Sequence, residues 1–218
     1  MEVKLINYSQ ADGDYLIEST SAQEMVAFCA RVSNPDNQMN SETSTGLIKY
    51  LIKHKHWSPF EMVSACLEIK TTRDIARQIL RHRSFSFQEF SQRYAVATDF
   101  ETREARMQDP VNRQNSIEIG AEIEERQIQE EWDMIQDNVI ELTKAAYNRA
   151  LDLGIAKEQA RAVLPEGLTA STMYVNGTIR SWIHYIELRS AHGTQKEHME
   201  IAQEIGRVIS KIFPVINE

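Results

Sequence analysis

Residues 81–94 read Arg81-His82-Arg83-Ser84-Phe85-Ser86-Phe87-Gln88-Glu89-Phe90-Ser91-Gln92-Arg93-Tyr94. The span sets three arginines, a histidine, a glutamate and three serines among four aromatic rings. Arginine presents a planar five-donor fork that matches phosphate oxygens and the edges of heterocycles. Serine hydroxyls and backbone N–H groups can close a cradle round an anion. A lone glutamate among the cations can accept from a sugar hydroxyl or a ring N–H. An Arg-rich run by itself is most often a solvated surface. Here Phe85, Phe87, Phe90 and Tyr94 are expected to be buried close to the charges, which points to a nucleotide site.

The whole chain carries a net charge of −8, which argues against a general nucleic-acid binder. Between Lys70 and Tyr94, however, six cations (Lys70, Arg73, Arg77, Arg81, Arg83, Arg93) face two acids (Asp74, Glu89). A positive pocket in an acidic protein suits a small anionic ligand. The cysteines, Cys29 and Cys66, lie in unrelated patterns and suggest neither a disulfide framework nor a metal knuckle. His54 and His56 lie close together, but no cysteine or second carboxylate stands at ligand spacing, so no metal is expected. There is no G-x-G-x-x-G and no P-loop, which removes the Rossmann and Walker explanations of nucleotide binding. No apolar run is long enough to span a bilayer, and residues 1–6 do not read as a signal peptide. A reducing cytoplasm is the expected compartment.

Several elements must position these residues. At 218 residues the chain can bury one large core, and no linker or repeat divides it, so one domain over 1–218 is expected. Val3–Ile6 and Asp14–Ile17 lean towards strand. Ser21–Val32 reads as a helix with a Ser21/Glu24 capping box and an apolar stripe of Met25, Phe28, Cys29 and Val32. Ser44–His54 follows, striped by Leu47, Ile48, Leu51 and Ile52. Val63, Ala65, Leu67 and Ile69 alternate with polar neighbours as a half-buried strand. Thr72–Leu80 is a helix with Arg73, Arg77 and Arg81 at four-residue spacing on one face. Residues 99–116 read as an irregular excursion. Residues 117–153 read as one long helix with a heptad-like seam of Ile123, Ile128, Trp132, Ile135, Val139, Leu142 and Ala146, closed by Gly154. Lys157–Val163 is a short helix, Thr169–Val175 a strand and Asn176-Gly177 a turn. Thr178–Ser190 and Thr194–Ile212 are helices. The fold class is α+β: a small mixed or antiparallel sheet packed with several helices, one of them long.

Arg81-His82-Arg83, two residues, Ser86, two residues, Glu89, one residue, Ser91, one residue and Arg93-Tyr94 resembles the signature of the flavin-dependent thymidylate synthases. The chain has Gln88 where that pattern usually has Asn. His56, Ser58 and Glu61 match a second block, with Met62 where a histidine often follows. Residues 160–165 and 180–189 resemble two further blocks, while the order after Arg189 departs from the family. The resemblance implies that Gln78, Ile79, Leu80, Arg81, Glu89, Phe90, Ser91, Gln92, Arg93, Arg161 and Arg189 hold deoxyuridine monophosphate (dUMP). It implies that His56, Ser58, Arg81, His82, Arg83, Glu89, Thr178, Arg180 and His184 line the FAD and folate site. It also implies a homotetramer whose sites are shared between subunits.

The implied reaction is reductive methylation of dUMP to dTMP. Methylenetetrahydrofolate gives the carbon, FAD carries the hydride and NADPH reduces the flavin. No cysteine has a base beside it in the sequence, so the expected route stabilises the pyrimidine as an anion, with Arg189 as the catalytic guanidinium. Two alternatives stay open: a related enzyme adding hydroxymethyl on the same scaffold, and a nucleic-acid-binding module using the same arginines and rings.

Overall fold

The structure is a computed structural model that describes residues 1–13, 20–97, 99–120 and 122–217. Strands β1 (Glu2–Tyr8), β2 (Ser64–Thr72), β3 (Ser86–Glu89) and β6 (Ala170–Thr178) form a four-stranded sheet in the order β1-β2-β6-β3. Every neighbouring pair is antiparallel. Strands β4 (Arg106–Gln108) and β5 (Ser116–Glu118) pair separately. The helices are α1 (Ala22–Ala30), α2 (Ser44–Lys53), α3 (Arg73–Ile79), α4 (Ile123–Asp152), α5 (Lys157–Ala160), α6 (Ile179–Arg189) and α7 (Lys196–Ile209). The α+β class is as expected, and the sheet is antiparallel. No described helix is long and apolar enough to cross a membrane.

Alternation decides the sheet. Val63, Ala65, Leu67 and Ile69 are all buried, and Met173 and Val175 answer them from β6. One sheet face is therefore continuous apolar surface. It packs with Ile75, Ile79, Ile179, Trp182, Ile201 and Ile205 into the main core. Removing a fully buried aliphatic side chain from such a core typically costs about 2–5 kcal/mol.

The Ser21/Glu24 capping box is present and Met25 of the expected stripe is buried, but α1 completes its buried face with Ala22, Val26 and Ala27 rather than Phe28, Cys29 and Val32. Phe28 and Cys29 are only half-buried, and Val32 is 70% exposed, past the helix end at Arg31. The reading of Asp14–Ile17 as a strand lies outside the described residues.

Residues 117–118 belong to β5, so the long helix begins at Ile123 behind a Glu122/Glu125 capping box. The expected excursion at 99–116 contains β4 and the first residue of β5. Asn176-Gly177 is no turn. Both residues continue β6, opposite Cys66 and Ala65. Gly177 is required by close approach: a Cβ there would lie 2.3 Å from Cδ1 of Phe85. That ring is wedged against Trp182, with centroids 4.4 Å apart. Gly154, with φ +78°, ends α4 as expected, its N–H bonding Leu151 while Ile155 reaches back to Ala150.

The seam expected on α4 points outward. Trp132, Ile135 and Val139 are exposed in the single chain, and Leu142 is 74% exposed. The line that α4 buries is Gln136, Ile140, Thr143 and Tyr147.

Candidate functional site

Helices α3, α6 and α7 bring the first cluster together at their ends. Arg189, in the last turn of α6, donates from Nε to Nε2 of His82 at 2.9 Å. A ring nitrogen that accepts carries no proton, so His82 is the neutral Nδ1–H tautomer. Burial, then the Arg189 charge, holds His82 below the usual histidine range. The two Nη groups of Arg189 have no hydrogen-bond or ion-pair partner among the described residues. His82 meets the Tyr185 ring edge-on, with centroids 4.8 Å apart. Gln78 belongs to the same cluster, donating to Gln195 at 2.8 Å and lying 3.2 Å from Nδ1 of His198.

A second cluster lies round the start of α3 and the end of β3. Arg73 is largely buried, with Nη1 3.3 Å from Oε1 of Glu89, and Ser171 donates to the same carboxylate oxygen at 2.9 Å. Nη1 of Arg73 and Nε2 of Gln92 are buried donors without a hydrogen-bond partner. Both residues line a cleft of about 440 Å³ with Arg77, Glu158, Arg161 and Glu166. Buried donors are satisfied as a rule, so Gln92, together with Arg73 whose Nη1 has only its ion pair with Glu89, marks this cleft as a place for an acceptor. Next to it Ser91, Arg93, Tyr94, Lys157 and Glu158 line a cleft of about 480 Å³. Glu158 joins the two, accepting from Arg93 at 3.2 Å and from Arg161 through its carbonyl at 3.3 Å.

The third cluster is built from the loop after α2 and the start of α6. Lys55 takes a left-handed φ of 57°, so that His56 N–H reaches Leu51 and the chain reverses. His56 and Ser58 are exposed, Arg180 pairs with Glu61, and His184 meets the Trp57 ring edge-on at 4.5 Å. Thr178 caps α6, accepting from the Ser181 N–H at 3.3 Å.

Arg81 and Arg83 are exposed, with no side-chain hydrogen bond or ion pair among the described residues. Ile79 is in the core and Leu80 packs against it, so a ligand could reach Ile79 only through backbone. Of the four rings expected to be buried, Phe85 is buried and Phe87 half-buried. Phe90 is exposed, and Tyr94 is 89% exposed. Tyr94 lies beyond the β3 ladder, which ends at Glu89 with one further bond from the Phe90 N–H to the Thr172 carbonyl at 2.8 Å.

His198 has no role in the sequence reading, yet it is completely buried. It stands on the apolar stripe of α7 with Ile201, Ala202 and Ile205. A histidine in register with such a stripe is the signal that could have found it. Burial first, then the charge of Arg189, lowers its pKa to about 4. The thiols of Cys29 and Cys66 are half-buried, and burial alone pushes both up. Neither is prepared as a nucleophile.

Fold and side chains together define an antiparallel α+β protein whose clefts are walled by arginines, with guanidinium and amide donors left for a ligand. The family model described as thymidylate synthase complementing protein matches residues 15–215. The chain is 48% identical over 218 residues to a probable flavin-dependent thymidylate synthase of Paramecium bursaria Chlorella virus 1, covering 99% of this chain and 97% of that protein. It is 46% identical over 217 residues to a flavin-dependent thymidylate synthase of Synechocystis sp., with coverage of 99% and 97%. Among solved structures it is similar to the UMP/dUMP methylase PolB of Streptomyces cacaoi bound with 5-Br dUMP. That likeness has a TM-score of 0.80 at 27% identity, over 99% of this chain and 92% of that one. The chain belongs to the flavin-dependent thymidylate synthase family.

Proposed function

We propose that this protein converts dUMP to dTMP by reductive methylation, with methylenetetrahydrofolate, FAD and NADPH, and without a cysteine nucleophile. The observation that carries the reading is Arg189, whose Nε is fixed on a neutral His82 while its Nη fork is left for a ligand. Carbon transfer to pyrimidine C5 needs electron density on that carbon. A desolvated guanidinium beside N3 and O4 supplies it by stabilising the ring as an anion. Because His82 is neutral, it orients Arg189 without competing for the anion. The raised thiols of Cys29 and Cys66 support a route free of cysteine addition.

In this reading Arg161, Gln92 and Arg73 take the nucleotide phosphate in their shared cleft, with Ser91 and Arg93 beside it. The donor set also fits FAD. The unpartnered guanidinium groups of Arg81 and Arg83 suit a pyrophosphate, and His56, Ser58, Glu89, Thr178, Arg180 and His184 complete the proposed flavin and folate surroundings. FAD, when bound, supplies the hydride chemistry. Neither Arg189 nor His82 lines the Arg161 cleft, and we place both in one site by association of subunits into a homotetramer. The outward apolar face of α4 supports that assembly, since a row of exposed Trp, Ile, Val and Leu is a surface that water disfavours. A reducing cytoplasm suits the two free thiols.

The test is the mass of the nucleotide formed from dUMP, methylenetetrahydrofolate and NADPH by the yellow, flavin-loaded protein. It is run beside Arg189→Lys, which keeps a cation but loses the fork. Thymidylate is expected, with turnover in the variant down by about a hundredfold or more and flavin reduction by NADPH intact. A hydroxymethyl product would overturn the reaction. Collapse of flavin reduction with normal carbon transfer would overturn the role of Arg189.

A further inference from the structure

Five side chains form one hydrogen-bonded chain across the interface of α3, α6 and α7. Gln195 donates from Nε2 to Oε2 of Glu197 at 3.0 Å, and Gln78 donates from Nε2 to Oε1 of Gln195 at 2.8 Å. Nδ1 of His198 lies 3.2 Å from Oε1 of Gln78, and its Nε2 lies 2.9 Å from the Tyr185 hydroxyl. The direction of the chain follows from its last member. A carboxylate can only accept, and Arg106 pins the other oxygen of Glu197 in an ion pair that is largely buried. Gln195 must therefore present its amide nitrogen to Glu197 and its oxygen to Gln78. Gln78 must then turn its own oxygen to His198, so His198 donates from Nδ1 and accepts the Tyr185 proton at Nε2. Reversing the order would set amide oxygen against carboxylate.

Two members of this chain reach the site. Gln78 is among the residues that the family resemblance assigns to dUMP, and Tyr185 meets His82, the acceptor that seats Arg189, edge-on. We infer that His198 is a positioning residue: it fixes the rotamer and amide direction of Gln78 and the seat of the Tyr185 ring against His82. With Oε1 of Gln78 held by His198 and one Nε2 hydrogen held by Gln195, the second Nε2 hydrogen is left as the donor for a ligand. With the Tyr185 hydroxyl donating to His198, the phenol oxygen can still accept a hydrogen bond. The site is thus offered one amide donor and one fork of fixed orientation. This rests on the proposed nucleotide site.

The test begins with the wild-type, flavin-loaded protein. Ring-nitrogen NMR at neutral pH is expected to show His198 with a protonated Nδ1 and a bare Nε2. The opposite tautomer, or an imidazolium, would overturn the directed chain. His198→Gln can still donate to Gln78 and accept from Tyr185, whereas His198→Phe keeps the volume and does neither. By calorimetry the Phe variant is expected to bind dUMP about tenfold more weakly, the loss of one oriented hydrogen bond. Its His82 ring-nitrogen shifts should move, and its flavin content should hold. The Gln variant should stay close to wild type in all three. Unchanged dUMP affinity in a folded Phe variant, or a Gln variant as weak as Phe, would overturn the assignment. Should the Phe variant not fold, Gln195→Met cuts the chain at its other end and is read in the same way, with weaker dUMP binding expected and unchanged binding overturning it. Failure of the proposed reaction would appear separately, as wild-type protein that forms no thymidylate.

Discussion

Acidification should find His198 before it finds most of the fold. The ring is completely buried and neutral, with its pKa held at about 4, against 6.5 for an exposed histidine. Between those values the unfolded chain binds a proton that the folded protein refuses, so stability falls as pH drops through that window. Above pH 6.5 the group contributes no slope, and below pH 4 both states are protonated and the loss is complete. At about 1.4 kcal/mol per pH unit the full loss is roughly 3 kcal/mol. By pH 4.5 about 2.5 kcal/mol of it should have appeared. The measurement is urea unfolding of wild type and His198→Gln at pH 7, 5.5 and 4.5. Carboxylates and the other histidines titrate in both proteins, so the difference between the two curves isolates His198. Wild type should lose about 2.5 kcal/mol more than the variant by pH 4.5. Parallel curves over that range would refute the buried neutral ring and the reasoning built on it.

Arg161→Ala should weaken dUMP binding by about tenfold to a hundredfold, the usual size of one lost charge-assisted contact, with FAD binding little changed; nucleotide titration of the flavin-bound variant checks it. The double substitution Cys29→Ser/Cys66→Ser should retain synthase activity, because burial already keeps both thiols protonated; a folded, flavin-loaded double variant without turnover would revive a cysteine nucleophile. Gly177→Ala should destabilise the fold by about 1–3 kcal/mol, since its Cβ would strike the Phe85 ring that Trp182 holds in place. Chemical denaturation measures that loss, and an unchanged midpoint would refute the wedge.

Local rules wrote much of this molecule. Alternation placed Val63, Ala65, Leu67 and Ile69 in the core, and a four-residue pattern with side-chain oxygen at the first turn placed α1. The motif at 81–94 and the blocks round Arg161 and Arg189 marked the family. Those signals are short-range or compositional, so the sequence alone carries them.

Only the tertiary structure decided what the residues touch. Asn176-Gly177 has the composition of a turn, but pairing with Cys66 and Ala65 continued the strand, and the glycine serves the Phe85 ring from across the sheet. The seam of α4 was legible as an apolar row, while its outward direction was set by Gln136, Ile140, Thr143 and Tyr147 taking the inner face. The pairing of Arg189 with His82 spans 107 residues, and that of His198 with Gln78 spans 120. No local pattern encodes such contacts. They exist because the sheet and three helix ends bring distant side chains within hydrogen-bond reach, and burial then leaves each polar group only the partners standing beside it.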